Sequence, residues 1–310
     1  MKTPWGDVAV RDAHVHYFSH RFFSVLAQQK GGLPAEALGP LLGWEIPSPG
    51  PEALAARWVS ELDRSAVESA IVIASVPGDE DSVIAAVELY PERFSGYFMV
   101  DPTVADAPGR VSRTLGRGMR GVCLFPAMQG YSVTDARVYA VLEEASRHPR
   151  AEVFVHCGVL TLGVRRKLGL PGVFDTRNSN PLDLIPVAAR FQSLTFVVPH
   201  FGAGFLREAL MLCDLCPNVV LDIEQQRLDA LRRVDAGGRF PPRPGCGRAA
   251  SAPVWVRFVV LPAGLEQGHS GLTDRRSSHP WAARRGCASH SRRESARRLS
   301  PAISRPVFSE

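Results

Sequence analysis

Hydrophobic and polar positions follow two alternating patterns along the first 223 residues: short apolar runs rich in β-branched residues, and longer stretches with helical spacing. The short runs predict buried strands. They fall at Val8–Tyr17, Ser69–Val76, Phe94–Val100, Met119–Phe125, Glu152–Cys157, Leu194–His200 and Val219–Ile223. Helical spacing marks Pro51–Ser65, Glu80–Tyr90, Asp106–Leu115, Asp135–Arg147, Leu182–Phe191 and Ala203–Leu215. Strands separated by helices imply parallel βα units. Seven such units predict an α/β fold over residues 1–223, a (β/α)8 TIM-type barrel that is incomplete because its eighth strand is lost. An open doubly wound sheet would more often carry a Gly-rich turn after its first strand, and none is present.

Barrels of this kind gather their chemistry at the C-terminal ends of the strands. The first strand ends in Asp12-Ala13-His14-Val15-His16, the fifth in Val155-His156-Cys157-Gly158 and the sixth in Pro199-His200-Phe201-Gly202. Residues at i and i+2 of a strand share a face, so His14 and His16 point together. A single strand-end histidine is more often a hydrogen-bonded structural residue. Four of the six histidines before residue 224 at three strand ends point instead to a metal site. Imidazole nitrogen suits Zn²⁺ or another divalent metal, and a catalytic zinc keeps an open position for water. Asp12 could be a ligand, but it is expected rather to orient a histidine or a neighbouring loop from outside the ligand set. Arg177-Asn178-Ser179-Asn180-Pro181 falls in a long loop after the fifth strand, at the barrel mouth. Asn178, Asn180 and Arg120 are candidate substrate contacts, although Arg120 reads equally as a solvated residue at the start of the fourth strand.

Composition supports a globular protein, with 45% hydrophobic and 22% charged residues. No apolar run approaches the roughly 18 residues of a membrane span, and the N-terminus shows no charged start before an apolar segment. Six cysteines without a repeated C-x-x-C fit a reducing compartment, so a cytoplasmic location is expected. The lone pair Cys213 and Cys216 is read as two ordinary thiols.

Residues 8–223 resemble the amidohydrolase-related metal-dependent hydrolases, of the aminocarboxymuconate-semialdehyde decarboxylase-like kind. The resemblance rests on DAHVH at 12–16, GVCLFP at 121–126, VFVHCG at 153–158 and VVPHFGAGF at 197–205. It implies a (β/α)8 barrel with one divalent metal, usually zinc. By motif, His14, His16 and His156 would be the metal ligands and His200 the catalytic histidine that polarises or deprotonates the attacking water. The family's last ligand is an Asp at the end of the eighth strand, in a G-[ST]-D motif that also serves proton transfer.

That motif is missing after Ile223. Residues 1–223 hold 20 Lys+Arg and 24 Asp+Glu, whereas 224–310 hold 16 Arg, no Lys and 7 acids, a swing from −4 to +9. Gly271-Leu272-Thr273-Asp274 mimics the motif in letters only, since no apolar strand precedes it. Arg-, Pro-, Ser- and Ala-rich text without lysine is what a GC-rich gene gives when read out of frame. The genetic code offers a test: Trp255 followed by Val256 forces a Gly in the shifted frame. With wobble bases chosen freely, Ala252–His269 permits RLFGSDSSFFPRGWNKA, which restores G-S-D. The sequence therefore predicts a one-base frame change at Ile223/Glu224 and a tail, 224–310, without regular structure.

Three function classes follow. The first is a metal-dependent hydrolase whose activated water attacks a carbonyl or unsaturated carboxylate substrate, with decarboxylation (carbon–carbon lyase chemistry) as the alternative and activity impaired by the lost Asp. The second is a catalytically inactive, barrel-derived binding protein. The third, nucleic-acid binding by the basic tail, ranks last because the tail lacks interleaved aromatics and any recognised module. The expected partner is a small-molecule substrate, not nucleic acid or membrane, and the chain is compatible with a homo-oligomer.

Overall fold

A computed structural model describes residues 2–3, 6–7, 9–160, 163–172 and 174–222. The expectations placed on residues 224–310, including the out-of-frame tail and Asp274, lie outside these. A short antiparallel ladder pairs Lys2–Thr3 with Gly6–Asp7. It is followed by seven parallel strands: β1 Arg11–Tyr17, β2 Ser69–Ala74, β3 Phe94–Met99, β4 Gly121–Leu124, β5 Glu152–Val155, β6 Thr195–Val198 and β7 Val219–Leu221. They form one sheet in sequence order, β1 to β7. Each strand is followed by helical structure up to α7. The main helices are α1 His20–Gln29, α2 Pro51–Arg64, α3 Glu80–Leu89, α4 Ala107–Gly116, α5 Ala136–Ala145, α6 Ile185–Arg190 and α7 Leu206–Leu215. Among the described residues this is an incomplete TIM-type barrel of seven strands.

Period-two alternation sorts the strand residues into two apolar layers. Val72, Phe98, Val122, Val153 and Phe196 join the layer between sheet and helices. Ile73, Tyr97, Met99, Cys123, Phe125, Phe154 and Val197 fill the barrel interior. The cores of β1 to β6 are buried on both faces, which is why these segments read as continuous apolar runs. Val220 pairs in register with inward-facing Val197, yet Val220 is 47% exposed and Val197 only 9%. Among the described residues the interior is thus open beside β7, where a complete barrel would place its eighth strand.

The strands are shorter than the apolar runs suggest. Polar residues follow β5, β6 and β7 at the mouth, where the His156 and Asp222 amides still donate to Leu124 and Val198 of the neighbouring strands. Helix α1 was not among the sequence-predicted elements. Ser19 caps it, its hydroxyl oxygen accepting from the Phe22 amide. Phe22, Phe23, Leu26 and Ala27 bury against Leu38, Leu42 and Leu168 in a separate apolar cluster.

Candidate metal centre

Strand β1 carries its polar residues on a bulge. Asp12 pairs with Ala70 and Val15 with Val72, so Ala13 and His14 together oppose Ile71. A bulge re-aims side chains and frees ladder amides. The His14 amide donates to the Asp12 carboxylate at 3.0 Å, and both residues are buried. Asp12 therefore acts on the backbone that carries His14.

The imidazoles meet in a chain. The His14 and His16 ring centroids are 5.1 Å apart, His14 and His200 5.2 Å, and His156 and His200 5.5 Å. Below them lies the aromatic interior: His14 stands edge-on to Phe154 at 4.8 Å, and His156 stacks on Phe125 at 5.6 Å. His16, at the rim, bonds Ser75 Oγ through Nδ1 at 2.9 Å and stacks on Phe18. The structure thus brings together all four strand-end histidines.

It also brings in a residue the sequence reading passed over. Asp222, immediately after β7, is buried, and its Oδ2 lies 2.7 Å from His14 Nδ1. Its Oδ1 accepts from the His200 amide at 2.6 Å. The first and last strands of the sheet are therefore joined across the mouth by side chains. His14, His200 and Asp222 offer ligand atoms that all lie within 4.8 Å of one another. Two imidazoles and a carboxylate are a donor set that fits a divalent metal of the zinc type. The signal for Asp222 was present in its position, a polar residue ending an apolar strand, but no motif marked it.

The other sequence-predicted residues separate into two groups. Asn178 and Asn180 flank the mouth: the Gly158 amide donates to the Ser179 carbonyl at 2.7 Å, and the Asp175 amide to Ala127 beyond β4 at 2.8 Å. The Asn180 side chain caps the following turn, accepting from the Leu182 amide at 3.0 Å. Arg120 is corrected. It precedes β4 at the N-terminal end of the sheet, where its guanidinium pairs with Glu152 at the start of β5. Parallel strands place that end opposite the histidines, so Arg120 does not line the mouth.

Cys157 follows His156 but is fully enclosed. Burial, with Asp183 adding to it, pushes its thiol up to about 12, the direction that disfavours a reactive thiolate. Cys213 and Cys216 are free thiols raised by burial. Among the described residues no helix is long and apolar enough to cross a membrane.

Comparison with known proteins agrees with this architecture. An uncharacterised TIM-barrel protein from Bordetella bronchiseptica is 18% identical, with a TM-score of 0.50, over 74% of this chain and 82% of that one. A 5-carboxyvanillate decarboxylase from Novosphingobium aromaticivorans, solved with bound manganese, is 16% identical with a TM-score of 0.45, over 73% of this chain and 71% of that one. An amidohydrolase from Burkholderia multivorans, solved with bound zinc, is 15% identical with a TM-score of 0.38, over 74% and 81%. No curated protein matches the chain significantly. The amidohydrolase family model matches residues 12–244, from the Asp12 bulge to beyond β7. The chain belongs to the amidohydrolase family.

Proposed function

We propose that the chain is a metal-dependent hydrolase acting on a small carbonyl substrate such as a cyclic ester or amide. The observation that carries this reading is the convergence of His14, His200 and Asp222 within 4.8 Å at the C-terminal mouth of an amidohydrolase-family barrel. His14, His16 and His156 would hold a divalent ion, with Asp222 behind His14 at its Nδ1. Such an ion would supply Lewis acidity toward a water and a substrate carbonyl. His200 accepts the proton released as the water attacks and returns it to the leaving group. Phe125 and Phe154 floor the site and exclude bulk water, which strengthens the electrostatic contacts inside it. Asn178 and Asn180, on the loop beside Gly158, would contact the substrate. The family's strand-eight Asp has no counterpart among the described residues, so turnover by the chain as given should be slow beside a version read in the other frame after Ile223.

A panel of lactones, cyclic amides and unsaturated carboxylates, assayed with metal-loaded and chelator-stripped protein, tests the proposal. Metal-dependent ring opening is expected, with His200→Gln lowering kcat by about 10²–10⁴-fold. Release of CO₂ without water addition would assign a decarboxylase instead, and metal-independent behaviour throughout would overturn both readings.

A further inference from the structure

The turn that carries His200 has an uncommon backbone. His200, Phe201, Gly202 and Ala203 all have positive φ, at 58°, 49°, 72° and 46°. Glycine takes this left-handed conformation freely, but residues with a Cβ do so at a cost. Three of the four here are not glycine. Strained backbone of this kind persists where the surroundings over-determine it, often at functional sites.

The surroundings are identifiable, and most of them are one residue. Asp222 Oδ1 accepts from the His200 amide at 2.6 Å. The Asp222 carbonyl accepts from the Phe201 amide at 3.1 Å, and the Asp222 amide donates to Val198 at 3.1 Å. From the other side the Val159 amide donates to the Ala203 carbonyl at 2.9 Å. Gly158 makes that approach feasible, because a Cβ there would collide with the carbonyl oxygens of Gly202 and Ala203. The second oxygen of Asp222 meets His14 Nδ1 at 2.7 Å.

We infer that Asp222 is the positioning residue of the metal centre: one carboxylate oxygen fixes the tautomer of His14 while the other, with the backbone of the same residue, locks the left-handed turn that presents His200. An ionised carboxylate only accepts hydrogen bonds. His14 therefore carries its proton on Nδ1 and turns the Nε2 lone pair toward a metal. Carboxylate partners of ligating histidines act in this way, and losing one costs about 10–100-fold in metal affinity. In this role Asp222 works through both histidines and need not touch the ion. The inference rests on the metal reading of the mouth, and its test separates the two.

Nitrogen-15 NMR of His14 in metal-free protein at about pH 9, where an ordinary imidazole is neutral, reads the tautomer directly. Proton on Nδ1 is expected, and it should stay there when Zn²⁺ is added. Asp222→Asn keeps a carbonyl for the His200 amide but offers His14 an N–H, so the His14 proton should move to Nε2. Zinc affinity should then fall by about 10–100-fold, with a thermal midpoint close to wild type. Asp222→Ala should lose affinity and thermal stability together. A wild-type His14 with its proton on Nε2, loss of the Nδ1 proton on zinc addition, or unchanged zinc affinity in Asp222→Asn would overturn the inference. Wild-type protein with the Nδ1 proton but no zinc binding would leave Asp222 as the positioning residue and overturn the metal reading alone.

Discussion

The two ends of the barrel each set a carboxylate against polar partners, and the partners differ in kind. At the N-terminal end Glu152 accepts from the Tyr97 hydroxyl and pairs with Arg120. Arg120 stays half exposed while Tyr97 is buried, and burial beside Glu152 holds the Tyr97 phenol far above its ordinary value. A guanidinium that never gives up its proton makes this a fixed structural pair. At the C-terminal end Asp222 meets an imidazole and a backbone amide instead. Imidazole can give up a proton and offer a lone pair to a metal. The barrel thus carries a fixed ion pair at one end and an adjustable centre at the other, which is the division expected of barrel enzymes.

The sharpest way to break the comparison is His14→Ala. It should lower zinc affinity by more than the roughly 100-fold that loss of an outer partner costs, while isothermal titration of Tyr97→Phe should show wild-type affinity. Next in size is Gly158→Ala. The added Cβ would meet two carbonyl oxygens at a position with φ of 75°, so the His200 turn must move. Stability should fall by about 1–3 kcal/mol, and zinc binding should weaken with it; a variant with unchanged affinity would show that the turn does not position His200. Tyr97→Phe should cost about 1–3 kcal/mol in denaturant unfolding, because a buried hydrogen bond to Glu152 is lost. An equal stability loss accompanied by weaker zinc binding would erase the distinction between the two ends.

The smallest effect concerns a third carboxylate. Buried Asp79 accepts from the Ser19 and Ser82 hydroxyls at 2.6 Å each, and burial raises its pKa. The folded protein then holds this proton to higher pH than the unfolded chain. Its contribution is complete below about pH 4 and is lost as pH rises through the raised value. Asp79→Asn should therefore gain on wild type as pH rises above about 4, measured by urea unfolding across the acid-to-neutral range. A constant difference between the two proteins would show that Asp79 titrates normally.

Much of this fold was legible because parallel barrel strands are buried on both faces. Val72, Val122, Val153 and Phe196 belong to continuous apolar runs for that reason. The strand-end histidines stood out as polar letters closing those runs, and the structure gathers them. Three features were not legible. The bulge between Asp12 and Val15 depends on the pairing with β2, which local sequence does not encode. The left-handed run at His200–Ala203 contains one glycine, so local propensity argues against it, and tertiary contacts from Asp222 and Val159 decide it. Asp222 itself looked like the end of a strand, because its importance comes from curling β7 around to β1. Arg120 stood at the start of a strand in the sequence as well, and of its two readings the pairing with Glu152 supports the solvated strand start.

The central claim is that the mouth holds one divalent metal. The most direct measurement is a titration of chelator-stripped protein with Zn²⁺, run in parallel on wild type and His14→Ala with circular dichroism to confirm that both are folded. The account predicts one equivalent bound by wild type and none by the folded variant at the same concentration. Folded wild type that takes up no zinc, or a variant that binds as tightly as wild type, would contradict it.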